Sequence, residues 1–304
     1  MEKRVLGQTG MRVSVLGFGG SEIGYGQATV QTVERLLGSA LDAGLNVIDT
    51  AECYLTSEEL IGRAVSHRRG DYHLFTKCGH ASGLELPDWH PRLLEQSIER
   101  SLARLRTDHV DLLQLHSCSE EVLRQGDVIE VLRRAREAGQ TRFIGYSGDG
   151  EAALYAVRCG AFDTLQTSVN IADQQALELT LPEARTRSLG VIAKRPIANA
   201  VWRHEERPSD TYVQPYWDRL RQLDYEFLRA GGGEGGDASA TVGTALRFTL
   251  SVEGVHTAIV GTEKPERWRQ NAALLADGAL PVAEFEAIRA RWRERAGADW
   301  AGEV

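Results

Sequence analysis

The chain has 304 residues, 42% of them hydrophobic and 26% charged, which excludes disordered, collagen-like and coiled-coil proteins. Its 35 basic and 43 acidic residues leave a net charge of −8 with no basic block, a poor match for nucleic acid or an anionic membrane. A length near 300 suits either two average domains or one large α/β barrel, a fold that routinely exceeds about 250 residues.

Ahead of the first apolar stretch, Arg4-Val5-Leu6-Gly7-Gln8-Thr9-Gly10-Met11-Arg12-Val13 predicts a small hairpin turning at Thr9-Gly10. Short apolar stretches then recur: Ser14–Phe18, Asn46–Asp49, His73–Lys77, Val110–His116, Phe143–Tyr146, Thr164–Gln166, Val191–Lys194 and His256–Val260. Each is brief and rich in Val, Ile, Leu or Phe, as strands covered on both faces must be. Helical spacing separates them. Val33, Leu36, Leu37, Ala40 and Ala43 share one face, ended by Gly44; Leu94, Ile98, Leu102 and Leu105 share another, with Pro91 in the first turn. Val128, Leu132, Ala135 and Ala138 repeat the pattern before Gly139.

Eight strand–helix units predict a (β/α)8 TIM barrel with an N-terminal β-hairpin and extended loops on the C-terminal face. No linker divides the chain, so residues 1–304 read as a single domain. Two stretches break the rhythm: Ala198–Pro215, and the glycine run Gly231–Gly236, which predicts a flexible loop. No apolar run approaches the roughly 20 residues of a membrane helix. Met1-Glu2-Lys3-Arg4 leads into alternating residues rather than a signal-peptide core. Cys53, Cys78, Cys118 and Cys159 are scattered, without a C-x-x-C pair or histidines at ligand spacing. The expectation is a reduced, cytoplasmic protein with no metal site.

Barrel chemistry collects at the C-terminal ends of strands. There the sequence offers Asp49-Thr50-Ala51-Glu52-Cys53-Tyr54, then Thr76-Lys77-Cys78-Gly79, then Leu115-His116-Ser117. Singly, such residues are ordinarily surface ion pairs or satisfied polar groups. Together, Asp49, Tyr54, Lys77 and His116 make a proton-transfer set. A phenol with a pKa of about 10 is a sluggish acid and base at neutrality. An adjacent ammonium should lower that value, an aspartate should hold the ammonium, and a histidine should orient a substrate oxygen. The nearby cysteines read as packing residues in preference to redox sensors.

On Val47-Ile48-Asp49-Thr50-Ala51-Glu52-Cys53-Tyr54, Phe75-Thr76-Lys77 and Val110-Asp111-Leu112-Leu113-Gln114-Leu115-His116, the sequence resembles the aldo-keto reductase family, from the hairpin to Asn271. The resemblance implies Tyr54 as proton donor, Lys77 as the partner lowering its pKa, Asp49 as the partner of Lys77, and His116 as the group orienting the carbonyl. It also implies a nicotinamide dinucleotide, NADPH favoured over NADH, held without a Rossmann fold. Consistently, Gly17-Phe18-Gly19-Gly20 lacks the third glycine of a dinucleotide loop, since position 22 is Glu22.

The implied cofactor contacts are Gly20, Ser21, Asp49, Ser147, Gln166, Lys194, Arg195, Pro196, Ile197, Gly261, Thr262, Lys264, Arg267, Gln270 and Asn271. Ser147 and Gln166 would hold the carboxamide. Arg267 would clamp a 2′-phosphate at the start of a helix. Two positions depart from the family pattern: Lys194 stands where an aromatic ring usually stacks on the nicotinamide, and Gly148 where an Asn often follows Ser147. Gly261, where some relatives carry Lys, weakens the case for NADP. The substrate, a small-molecule carbonyl or alcohol, should meet Tyr54, His116, Trp89 and Trp202, with Ser21–Tyr25, Tyr212 and Trp217 nearby. The rival readings are an NAD-preferring sugar or alcohol dehydrogenase and a nucleotide-sensing barrel with little turnover.

Overall fold

An antiparallel pair, β1 (Lys3–Val5) and β2 (Arg12–Ser14), precedes eight parallel strands in this computed structural model, which describes residues 1–232, 238–297 and 300–302. They are β3 (Leu16–Gly19), β4 (Val47–Asp49), β5 (His73–Cys78), β6 (Val110–His116), β7 (Thr141–Ser147), β8 (Thr164–Ser168), β9 (Gly190–Lys194) and β10 (Thr257–Gly261). The eight close into a barrel, with β10 beside β3. The fold is the predicted (β/α)8 barrel, and the strand boundaries differ from the apolar stretches by only a few residues.

The periodic helices form where expected, at Val30–Asp42, Pro91–Leu105 and Asp127–Glu137. Thr29 caps the first by accepting from the Thr32 amide at 3.2 Å, and Pro91 occupies the first turn of the second. Gly44 and Gly139 adopt φ of +98° and +75°, the left-handed conformation that stops a helix cheaply only at glycine.

Side chains two apart on a strand share a face, and this places the site. Val47, Phe75, Leu112, Ile192 and Ile259 form an apolar layer inside the barrel, closed from below by Leu6, Met11 and Val13 of the hairpin. Burying each such side chain contributes about 1.5–3 kcal/mol. The hairpin is locked by Gln8 N–H donating to the Ser188 carbonyl at 2.9 Å. Gly7 must be glycine there, because a Cβ would fall 2.2 Å from the Gly190 nitrogen. With the N-terminal end plugged, the next inward residues, Asp49, Lys77 and Gln114, face the C-terminal mouth.

The glycine run departs from expectation. Gly231 and Gly232 close a helix, Glu226–Gly232, while 233–236 lie outside the described residues. The Ala198–Pro215 stretch is largely irregular but holds a 3-10 turn, Ala198–Arg203, and its last two residues enter the helix Gln214–Leu223. Among the described residues no helix is long and apolar enough to cross a membrane.

Candidate active site

At the centre, Lys77 Nζ lies 2.5 Å from Asp49 Oδ1 and donates to the Thr50 carbonyl at 2.9 Å. The other Asp49 oxygen accepts from Gln166 Nε2 at 2.8 Å and Gln114 Nε2 at 3.3 Å. Each member of the charged pair, 1% exposed, thus has hydrogen-bond partners beyond the other, the condition under which a buried ion pair is tolerated. Gln114 was not singled out from sequence. Its signal was its place on β6, two residues beyond inward Leu112 and two before His116.

Tyr54 leans over this pair, its ring centroid 5.2 Å from Lys77 Nζ. Its ring meets that of His116 edge-on, with centroids 5.5 Å apart. The expected depression of the phenol pKa is not what the environment produces. Burial first, then the Asp49 charge, hold Tyr54 well above the ordinary phenol value. Burial also pushes His116 well below its ordinary value, reinforced by Lys77, His80, Lys194 and Arg195. The site therefore presents a neutral phenol and a neutral imidazole.

Two further side chains border His116, the first of them missed by the sequence reading. His80 lies 5.3 Å from His116 between ring centroids, and its Nδ1 pairs with Asp88 Oδ2 at 2.9 Å. Cys53, expected to be packing, has its sulfur 3.2 Å from His116 Nδ1. Trp89 stands 5.1 Å from His80 and covers Gly79, where a Cβ would meet the indole at 1.9 Å. Trp202 lines a groove of about 570 Å³ with Trp217, Arg221 and Tyr225, whose walls include none of Asp49, Tyr54, Lys77 and His116.

The neighbouring strand ends carry Ser147 and Gln166, the residues expected to hold a carboxamide. Ser147 pairs in register with both His116 and Gln166, and its hydroxyl donates to Gln166 Oε1 at 3.1 Å. Lys194 is engaged by Asp149 at 2.8 Å, which also accepts from Thr167 Oγ1 and the Ser168 amide. Gly148 fits against Tyr146, whose hydroxyl would lie 2.5 Å from a Cβ there, so the asparagine often seen at this position has no room. Arg195, at φ +54°, donates to Tyr212 Oη at 2.8 Å and to Ser168 Oγ at 3.1 Å. Pro196 accepts from Thr249 Oγ1, and Ile197 from the Ala200 amide.

On the opposite rim, the Gly20 amide donates to the Asp49 carbonyl at 2.7 Å, and Ser21 starts a short helix, Ser21–Tyr25. Gly261 pairs with Gly19, and Thr262 Oγ1 accepts from the Lys264 amide at 3.1 Å. The helix expected to present an anion site is only Arg267–Ala273, seven residues, with Asn271 buried and Gln270 exposed. Two acids missed by the sequence reading intrude here. A Cβ on Gly261 would lie 3.3 Å from Glu22 Cγ, and Glu22 is raised above its ordinary value by burial and by the charge of Glu263. Glu263 Oε1 is buried beside Gly26 with no hydrogen-bond partner.

Residues 15–293 match the sequence profile described as the aldo/keto reductase family. The chain is 27% identical to L-galactose dehydrogenase of Arabidopsis thaliana over 292 residues, covering 91% of this chain and 89% of that protein. It is also 27% identical to 6-dehydroglucose reductase of Novosphingobium aromaticivorans over 312 residues, covering 98% and 92% respectively. Its fold superposes on an aldo-keto reductase of Bacillus halodurans, solved in holo form, with a TM-score of 0.81 over 99% of both chains at 23% identity.

Proposed function

Because the chain belongs to the aldo/keto reductase family, we propose that it transfers hydride reversibly between a nicotinamide dinucleotide and a carbonyl or alcohol, with Tyr54 passing the proton. The observation that carries this reading is the meeting of the Tyr54 and His116 rings, 5.5 Å apart, above the buried Asp49–Lys77 pair. The donor set suits the cofactor. Ser147 and Gln166, both buried at adjacent strand ends, offer the hydroxyl and amide groups that a carboxamide would exchange hydrogen bonds with.

When bound, the nicotinamide supplies or accepts the hydride. The protein's part is to orient the carbonyl and to manage the proton. Neutral Tyr54 holds a proton at Oη for an oxygen becoming an alkoxide, and neutral His116 has one N–H with which to orient that oxygen. The Lys77 ammonium next to the phenol stabilises the phenolate left behind, and Asp49 holds Lys77 in place. Trp89 and His80 form a mixed aromatic and polar wall beside the reacting centre.

Arg267, with Lys264 nearby, supports NADP(H) as the dinucleotide. Glu22 and Glu263 favour a second reading, NAD, since carboxylates repel a 2′-phosphate and accept hydrogen bonds from ribose hydroxyls. The names of the two sugar-active relatives support a sugar carbonyl or alcohol as substrate. The test is fluorescence titration with NADPH and NADH, then an aldehyde, ketone and sugar panel followed by nucleotide absorbance, with Tyr54→Phe alongside. Loss of roughly 10²–10⁴ in turnover with nucleotide binding retained supports the reading. Nucleotide binding without any turnover favours a sensor, and no binding rejects both.

A further inference from the structure

We infer that Cys53 is a positioning residue for His116: its thiol donates to Nδ1 and thereby keeps the imidazole proton on Nε2, the nitrogen left to meet a substrate oxygen. The inference rests on the reductase reading for its consequence in turnover, but not for the hydrogen bond itself.

The backbone around Cys53 is held from several directions. The Glu52 amide donates to the Lys77 carbonyl at 3.1 Å and the Tyr54 amide to the Ala51 carbonyl at 3.1 Å. Tyr25 Oη donates to the Cys53 carbonyl at 3.2 Å. Glu52, the preceding side chain, is drawn away by Arg100 and Arg104. A turn fixed in this way fixes where the next side chain goes, and the Cys53 sulfur ends 3.2 Å from His116 Nδ1, inside the range for a sulfur hydrogen bond.

Such a contact admits a thiolate–imidazolium pair or a neutral pair. The surroundings select the neutral pair. Burial pushes the thiol up to about 11, outweighing the pull of Lys77. His116 faces Lys77 from β5, His80 from the following loop, and Lys194 and Arg195 from the end of β9, all opposing a further positive charge. Of these, His80 is paired with Asp88 and Lys194 with Asp149. Tyr54, from the same turn as Cys53, contributes a neutral phenol.

A neutral imidazole carries one proton on one of two nitrogens, and a hydrogen bond to one decides which. Sulfur is a weak acceptor, whereas an unprotonated ring nitrogen is a good one, so S–H to Nδ1 is the better arrangement. Nε2 then bears the hydrogen needed to orient a carbonyl oxygen. With the opposite tautomer, Nε2 would present a lone pair to that oxygen and repel it. A tautomer reversed in this way removes the ring from the reaction without moving a heavy atom.

The test combines nitrogen-15 NMR of the His116 side chain with kinetics for the wild type, Cys53→Ala and Cys53→Ser. The wild type should show the Nε2–H tautomer, Cys53→Ala a mixture, and Cys53→Ser, which retains a donor, a return to Nε2–H. For a substrate the wild type reduces, Cys53→Ala should lower kcat about tenfold with KM changed less than about twofold, and Cys53→Ser should recover most of it. A wild-type Nδ1–H tautomer, a tautomer unchanged in Cys53→Ala, or an unchanged kcat in that variant overturns the inference. A wild type that turns nothing over defeats the reductase reading, and the tautomer then decides the role of Cys53 by itself.

Discussion

The Lys77 ammonium and the Asp49 carboxylate form a 2.5 Å ion pair inside the barrel, at the upper edge of an apolar layer. The pair arises because β4 and β5 lie side by side with Asp49 registered against Phe75, two residues before Lys77. Neither charge has water to fall back on.

Removing one partner should therefore cost more than removing both. Lys77→Met leaves Asp49 charged and unpaired and should destabilise the fold by about 3–5 kcal/mol, while Asp49→Asn with Lys77→Met should recover much of that loss. Neither variant should support turnover. Urea denaturation read beside the nucleotide-coupled assay checks both statements, and equal stability of the single and double variants would contradict them.

The raised Tyr54 phenol sets opposite pH dependences for the two directions. The protonated form persists through neutral and mildly alkaline pH, so kcat/KM for carbonyl reduction should stay level from about pH 6 to 9. Alcohol oxidation needs the phenolate and should climb, approaching about tenfold per pH unit over the alkaline range. Profiles in both directions test this; a reduction limb falling between pH 7 and 8 would show the phenol to be far more acidic than its burial allows.

Glu263 is expected to govern the choice of dinucleotide. Replacing it with Gln removes a negative charge without changing shape, and should strengthen NADPH binding relative to NADH by about three- to tenfold. Titration of both nucleotides against wild type and Glu263→Gln measures the ratio directly. An unchanged ratio would place the 2′-position away from this acid.

Behind the site, Glu58 is buried and accepts from Thr76 Oγ1 at 2.6 Å, and burial raises its carboxyl to about 7. At acidic pH both folded and unfolded chains keep this proton. Between the ordinary carboxylate value and about 7 only the unfolded chain gives it up, so Glu58 subtracts stability as pH rises through that window. Glu58→Gln should raise the melting temperature by a few degrees at pH 8 and leave it nearly unchanged at pH 4. Paired thermal melts at the two pH values suffice to check it.

The barrel was legible in the sequence, and so was the presence of Asp49, Tyr54, Lys77 and His116 at its strand ends, because both depend on local patterns. Short apolar strands, helical faces such as Val33 to Ala40 stopped by Gly44, and polar residues at strand ends are all read along one segment at a time. The contacts that shape the chemistry lie between segments. Gln114 reaches Asp49 across 65 positions and Cys53 reaches His116 across 63, while Glu22 and Glu263 are brought together by closure of β10 onto β3. The direction of the Tyr54 shift belongs to the same class. An ammonium two strands' worth of sequence away suggests a more acidic phenol, but burial and the Asp49 charge outweigh it once the chain is folded. Residue types and their periodicity determine which side chains reach the barrel mouth; which of them touch, and how much water they lose in doing so, is decided only when the eight strands close, because hydrogen bonds and desolvation are properties of neighbours distant in the chain.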